Sequence, residues 1–382
     1  MTTRYRDLGL TVGLLPTGPL NAITDVEGVR VGLTTLIEGD GPLEVGRGPV
    51  RTGVTMIVPH EGIGAEPLFA GCHRLNGNGE LTGLEWVRES GQLTTPIAIT
   101  NTHSVGVVRD ALVAADVRLK GERSEVLWSL PVVGETYDGT LNDINGFHIT
   151  ADHVRSALDA AVGGPVAEGN VGGGVGMMCH DFKGGTGTAS RLLTQDEGGW
   201  TVGALVQANY GSRERLTVDG VPVGREIPVS SVASAWDQAH PLDEAGSGSI
   251  IVVLATDAPL LPHQCERLAQ RAGLGVARVG GGGENSSGDL FIAFSTGNRG
   301  RMSSYKLSGG SSGAAEPFDV AMLPDTGISA LFWAAIEATE EAILNALVGA
   351  ETMVGRDGIA AHALDHTMLV ETMSRYGRGP GS

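Results

Sequence analysis

Paired cysteines, long apolar runs and clusters of basic residues are all missing from this sequence. Its three cysteines, Cys72, Cys179 and Cys265, are too scattered for a disulfide framework, and none stands in a C-x-x-C pair or beside histidines at zinc spacing. They are expected to be small buried residues. No apolar run approaches the roughly 20 residues that a membrane helix needs. The opening stretch MTTRYRDLGL has no signal-peptide core, so a soluble, cytoplasmic protein without a membrane partner is expected. A formal charge of −18 with no Lys/Arg cluster opposes contact with phosphate backbones, which excludes a nucleic-acid partner.

Familiar catalytic signatures are missing as well. No H-E-x-x-H is present, and the ten histidines offer no clear ligand set. His362 and His366 are four apart on an expected helix, which reads as a solvated face, so no metal is expected. A G-x-S-x-G elbow would need a strand before its serine. Here Gly246 and Gly248 flank Ser247, and the strand follows. The glycines of GGGVG (172–176) lead into Met177, Met178 and Cys179, which read as a strand where a dinucleotide fingerprint needs a helix. Close strand packing or a tight turn explains them better. No cofactor is expected.

Glycine is abundant: 59 of 382 residues, against a usual share of about 7%. It is spread among hydrophobic segments, which suits tightly packed strands and backbone brought close to a ligand. A chain of this length buries a large core as one broad domain or two intimately packed halves. Strands are expected in 25–36, 53–60, 96–100, 201–211, 249–254 and 288–296, and helices in 104–117, 150–162, 257–275, 327–349 and 359–376. The helix at 257–275 carries Leu261, Cys265, Leu268 and Ala272 on one face, with glycines at its end. Val229 to Gly248 reads as an exposed connection, and SGGSSGAAEP (308–317) as a loop. Regular βαβ alternation is absent, so the expected class is α/β (α+β), with helices layered on sheets.

One catalytic layout remains, that of an N-terminal nucleophile. A Ser, Thr or Cys begins a buried strand, a loop precedes it, and polar groups at neighbouring strand ends supply oxyanion donors. The hydroxyl attacks the preceding carbonyl, and the α-amine freed by the cut, with a reference pKa of about 7.7 to 8.0, then serves as base. Ser249 before IIVVLA and Ser287 before GDLFIAF both fit. Ser249 has the longer lead-in and a glycine before it, but the pattern leaves both open. The strand TVGALVQAN ends in Gln207 and Asn209, polar groups placed to act.

Five blocks carry a resemblance: NAITDVEGVRVGLTTLIEGDGP (21–42), PVVGETYDGTLND (131–143), GNVGGGVGMMCHDFKGGTGTASR (169–191), GSGSIIVVLATDAPLLPHQ (246–264) and SSGDLFIAFSTGN (286–298). In this order they closely resemble the L-aminopeptidase D-alanine esterase/amidases, a family that includes the β-peptidyl aminopeptidases. The resemblance implies a four-layer αββα sandwich, arranged like the N-terminal-nucleophile (Ntn) hydrolases with different connectivity. It implies self-cleavage of one domain, 1–382, at Gly248-Ser249 into an α polypeptide (1–248) and a β polypeptide (249–382) headed by the nucleophile Ser249. Ser247 is a register alternative.

Ser287 and Asp289 then match the serine and acidic residue that assist proton transfer, where some relatives carry Glu. Asn209 matches the oxyanion donor, Tyr137 a residue stabilising the transition state, and Glu135 is suited to a substrate ammonium. The expected activity is a serine aminopeptidase acting on peptides, amino acid amides or esters with a free amino group. A homo-oligomer, a tetramer, is also implied. The alternatives are an acyl transferase like the ornithine acetyltransferases, which expose threonine at the cut, and an uncleaved binding protein.

Overall fold

The computed structural model describes residues 2–120, 128–238, 248–302 and 317–381. One sheet is ordered β1 (Arg30–Glu38), β2 (Val50–Val58), β5 (Ile97–Asn101), β6 (Val132–Thr136). The other is ordered β4 (Gln92–Leu93), β3 (Leu68–Arg74), β12 (Gly288–Ser295), β11 (Ser249–Thr256), β10 (Thr201–Asn209), β9 (Gly185–Leu192). Within this larger sheet β11 and β12 are parallel, and every other neighbouring pair is antiparallel. Two short ribbons complete the strands: β7 (Met178–Cys179) with β8 (Phe182–Lys183), and β13 (Met353–Val354) with β14 (Ala360–Ala361).

The helices are α1 (Leu84–Ser90), α2 (Val105–Lys120), α3 (Ala151–Asp159), α4 (Val223–Glu226), α5 (Pro262–Arg278), α6 (Ile328–Val348) and α7 (His366–Arg375). Three apolar cores separate four layers. One lies between α5/α6 and the larger sheet, the second joins the two sheets, and the third lies between the smaller sheet and α2/α3. The αββα sandwich is therefore the observed fold. No described helix is long and apolar enough to cross a membrane.

Strand β11 shows why this sequence makes these layers. Successive strand residues face opposite sides, and β11 places Ile250, Val252 and Leu254 in the helix-side core but Ile251, Val253 and Ala255 in the inter-sheet core. Both faces are covered. Its sequence is accordingly an unbroken apolar run instead of an alternation. Glycine supplies the close approach expected of it: a Cβ on Gly173 would meet Gln207 Oε1 at 2.1 Å, and one on Gly174 the Thr186 amide at 2.3 Å. All three cysteines are buried and free.

Two expectations need correction. The helix at 257–275 does not end at its glycines; α5 runs to Arg278, with Gly275 in its interior. A Cβ there would come within 2.8 Å of the Ile336 carbonyl, so this glycine is a helix-packing residue against α6. The last helix starts at His366 and not near 359, because Asp365 caps it by accepting from the Met368 amide and residues 360–361 form β14. His362 thus lies before α7 and shares no helix face with His366. Residues 239–247, which include Ser247 and just under half of the 229–248 connection, and nearly all of the 308–317 loop lie outside the described residues.

Candidate active site

Three strand ends of the larger sheet converge on Ser249. Asn209, the last residue of β10, is its antiparallel partner, and Gly288, the first of β12, is its parallel partner. The Gly288 N–H donates to Ser249 Oγ at 3.0 Å. By alternation along the strands, Ser249 and Asn209 share the face of Ile251 and Leu205, towards the other sheet. Both residues are buried. A Cβ on Gly248 would lie 1.9 Å from the Asn209 carbonyl oxygen, so only glycine fits immediately before Ser249.

The Asn209 amide is held at both ends. Oδ1 accepts the Met178 N–H at 2.7 Å, and Nδ2 donates to the Tyr137 carbonyl at 2.9 Å. An amide nitrogen carries two hydrogens, and one of them is engaged by Tyr137. The Tyr137 side chain is partly exposed and its hydroxyl folds over Gly139, where a Cβ would come within 2.4 Å of Oη.

Asp289 follows the opposite alternation, that of Phe291 and Ala293, and so faces the helix side. Its Oδ1 accepts from Ser287 Oγ at 2.6 Å and from the Ile250 N–H at 3.3 Å. It therefore sits on the main-chain side of Ser249, away from the face that carries Oγ. Burial pushes its pKa up to about 6, against the lowering effect of these hydrogen bonds. Asn76 fixes the local backbone by accepting the Asp289 N–H at 2.8 Å.

Glu135 on β6 alternates with Gly134 and Thr136 and leaves the sheet on the side of Val133. Its carboxylate accepts from the Glu80 N–H at 2.9 Å and from Thr102 Oγ1. Burial raises its pKa, with these two donors opposing the shift. The link to Ser249 runs through Gly79. The point where a Gly79 Cβ would stand is 3.0 Å from Glu135 Oε1 and 3.1 Å from Gly288 Cα. A buried carboxylate thus lies next to the residue that hydrogen-bonds Ser249.

The structure therefore brings Ser249, Asn209, the Tyr137 backbone, Ser287 and Asp289 together, with Glu135 one glycine away. Sequence reasoning missed the Gly288 N–H, Asn76, the Glu80 N–H, Thr102 and the Met178 N–H. The turn-rich N-G-N-G of residues 76–79 was the one visible signal, marking backbone that must pass close to another chain segment. Among the described residues no group of His, Cys, Asp and Glu is arranged to hold a metal.

Known proteins show the same architecture. The beta-peptidyl aminopeptidase BapA of Sphingosinicella microcystinivorans is 49% identical over 98% of this chain and 93% of its own. A Burkholderia sp. beta-aminopeptidase structure superposes with a TM-score of 0.89 at 55% identity, covering 98% of this chain and 99% of that one. An L-aminopeptidase D-Ala-esterase/amidase from Ochrobactrum anthropi, described as a prototype serine aminopeptidase and a new variant among the Ntn hydrolase fold, gives 0.87 at 47% identity, with 98% and 99% covered. The model of peptidase family S58 matches residues 21–361. With that match across most of its length, the chain belongs to peptidase family S58.

Proposed function

We propose that the chain is a self-processing serine aminopeptidase that releases N-terminal residues from peptides, amides or esters bearing a free amino group. The observation that carries the reading is the placement of Ser249 as the first residue of a buried central strand. A glycine-only position precedes it, and Asn209 and the Gly288 N–H flank it. The names of the relatives, beta-peptidyl aminopeptidase and L-aminopeptidase D-Ala-esterase/amidase, point to the same chemistry.

In maturation, Ser249 Oγ attacks the Gly248 carbonyl and the C–N bond breaks, which leaves Gly248 esterified to Oγ and frees the α-amine. Water hydrolyses the ester and releases the Gly248 carboxylate. In turnover, Glu135 binds the substrate ammonium while Oγ attacks the substrate carbonyl and its proton passes to the Ser249 amine. Asn209 Nδ2 and Tyr137 stabilise the oxyanion in a site shielded from water. The amine then protonates the leaving amine or alcohol, and water cleaves the acyl-serine by the same path in reverse. Ser287 and Asp289 act on the α-amine side, where Asp289 already accepts the neighbouring Ile250 N–H. No step calls for a cofactor. The homotetramer implied by the resemblance is part of the proposal and is read by sedimentation.

Intact mass under denaturing conditions tests the reading. Fragments of roughly 26 and 14 kDa, in proportion to residue number, mark a cut at Gly248-Ser249. The Ser249→Ala chain is expected to remain whole and inactive on an amino acid p-nitroanilide. Fragments of roughly 30 and 10 kDa would transfer the nucleophile to Ser287, and an uncut wild-type chain without activity would overturn the reading.

A further inference from the structure

Lys183, at the end of the β7–β8 ribbon, has no solvent exposure at all. Its Nζ donates to three main-chain carbonyls, those of Gly184 at 2.8 Å, Met177 at 2.9 Å and Gly174 at 3.3 Å. Two of these belong to glycines that leave no room for a side chain: a Cβ on Gly184 would stand 2.5 Å from the Ala208 carbonyl, and one on Gly174 2.3 Å from the Thr186 amide. Among the described residues the buried thiol of Cys179 is the titratable group that acts on the lysine charge. Burial without a carboxylate draws the lysine pKa down to about 7. A cation so placed opposes folding unless its hydrogen bonds compensate.

What those hydrogen bonds hold leads to the candidate site. The Met177 carbonyl takes Lys183 Nζ and also the Gly184 N–H, each at 2.9 Å. At the other end of that same peptide group, the Met178 N–H donates to Asn209 Oδ1 at 2.7 Å. A peptide group is planar and conjugated, so the Lys183 donor on its oxygen draws charge from its nitrogen and strengthens the N–H as a donor. With Oδ1 committed to Met178, Nδ2 faces the Tyr137 carbonyl. A flipped amide would set the Nδ2 hydrogens against the Met178 N–H.

We propose that Lys183 is a positioning residue for the oxyanion donor: its Nζ anchors the Met177–Met178 peptide group, whose N–H fixes which way the Asn209 amide faces. This rests on the reading of Asn209 as that donor, and the experiment separates the two.

A kinetic cycle on the full chain compares wild type, Lys183→Met, Asn209→Ala and the double variant. The rates kcat and KM are measured on a free-amine p-nitroanilide, per mole of matured chain counted by intact mass. Asn209→Ala is expected to lower kcat by about 10²- to 10³-fold. Lys183→Met is expected to lower it by about tenfold, as partners that orient a catalytic group from behind do, with KM little changed. In the Asn209→Ala background it should cost nothing further, because residues acting as a unit are not additive.

An equal loss in both backgrounds would make Lys183 a fold residue only and overturn the proposal, as would full activity of Lys183→Met. A loss in Lys183→Met beside an unchanged Asn209→Ala would instead sink the Asn209 assignment, and the route through it. Should Lys183→Met fail to fold or mature, Lys183→Gln, which keeps an amide donor, goes through the same cycle. Its expected kcat lies between wild type and Asn209→Ala, with no further loss when Asn209 is absent.

Discussion

Gly248 and Asn209 meet main chain to main chain, with no space for even a methyl group between the first and the carbonyl oxygen of the second. The chain entering β11 is thereby pressed against the end of β10. Gly248→Ala must push this contact apart, and the scissile carbonyl moves with it. We expect the variant to fold but to persist as precursor on denaturing mass analysis, while Gly106→Ala, where nothing lies within 4 Å, matures normally. Equal maturation of the two would show that the contact has no part in cleavage.

If Asp289 takes part in proton transfer as proposed, it ties activity and stability to pH in opposite directions. Burial lifts its pKa to about 6 despite the hydrogen bonds from Ser287 and Ile250. A proton acceptor must be ionised, so the acid limb of kcat/KM steepens below about 6, under the separate limb of the α-amine near 7.7 to 8.0. For stability, the unfolded carboxyl titrates near 3.9 and the folded one higher, so the folded state binds the proton more tightly. That contribution is full in acid and lost as pH rises through about 6. Asp289→Asn should therefore lose the steep limb and most activity, yet melt above wild type at neutral pH. Retention of the limb would remove Asp289 from proton transfer.

In the proposed mechanism Glu135 discriminates by charge. Its buried carboxylate has two donors and a raised pKa, a state that a substrate ammonium relieves. A hydrogen bond to a charged group is worth ~1.5–3 kcal/mol. Glu135→Gln should therefore cut kcat/KM on free-amine substrates roughly 10- to 150-fold while self-cleavage, which involves no free amine, proceeds as before. Loss of both together would mean that the glutamate supports the fold instead of reading the substrate.

Arg191 carries the largest stability prediction. It is wholly buried, with Nε 3.1 Å from Glu337 and Nη2 2.7 Å from Glu341, and Arg6 joins Glu341 from the N-terminal segment. Arg191→Ala removes the cation that pairs with Glu337 and leaves Glu341 paired with Arg6 alone, at a cost of about 3–5 kcal/mol. Thermal melting reads this directly. A drop no larger than that of an exposed pair, such as Arg47 with Glu44 broken by Arg47→Ala, would mean water reaches the site.

Helices layered on sheets and the buried strand β11 were legible in the pattern, because β11 is apolar on both faces and begins abruptly at a small polar residue. The four-layer order came from the family resemblance, and the pattern left Ser249 and Ser287 both open. The faces themselves were not. Leu290, Phe291 and Ile292 are all apolar, so nothing in the pattern says that Asp289 looks towards the helices while Ser249 looks towards the other sheet. The partners of Glu135 come from residues 80 and 102, which only the pairing of β5 with β6 and the crossing of the 75–80 segment bring to it. Lys183 was hidden inside a quoted motif, since nothing in KGG tells a buried ammonium from an exposed one. Gly275 misled for a related reason: inside a helix, a glycine that admits a neighbouring helix looks the same as one that ends it.

The order of strands in the larger sheet has a last consequence. β11 and β12 follow the proposed cut, yet they lie between β3 and β10, which precede it. Two pieces made at Gly248 would be interleaved like the fingers of clasped hands, each edge of the inner pair laddered to the other piece. They would not drift apart in the native state, but once unfolded they would have to find each other again. Folding of the precursor is a first-order event, whereas recovery of the mature protein would depend on concentration. The one broken bond would thus turn refolding from a unimolecular into a bimolecular event.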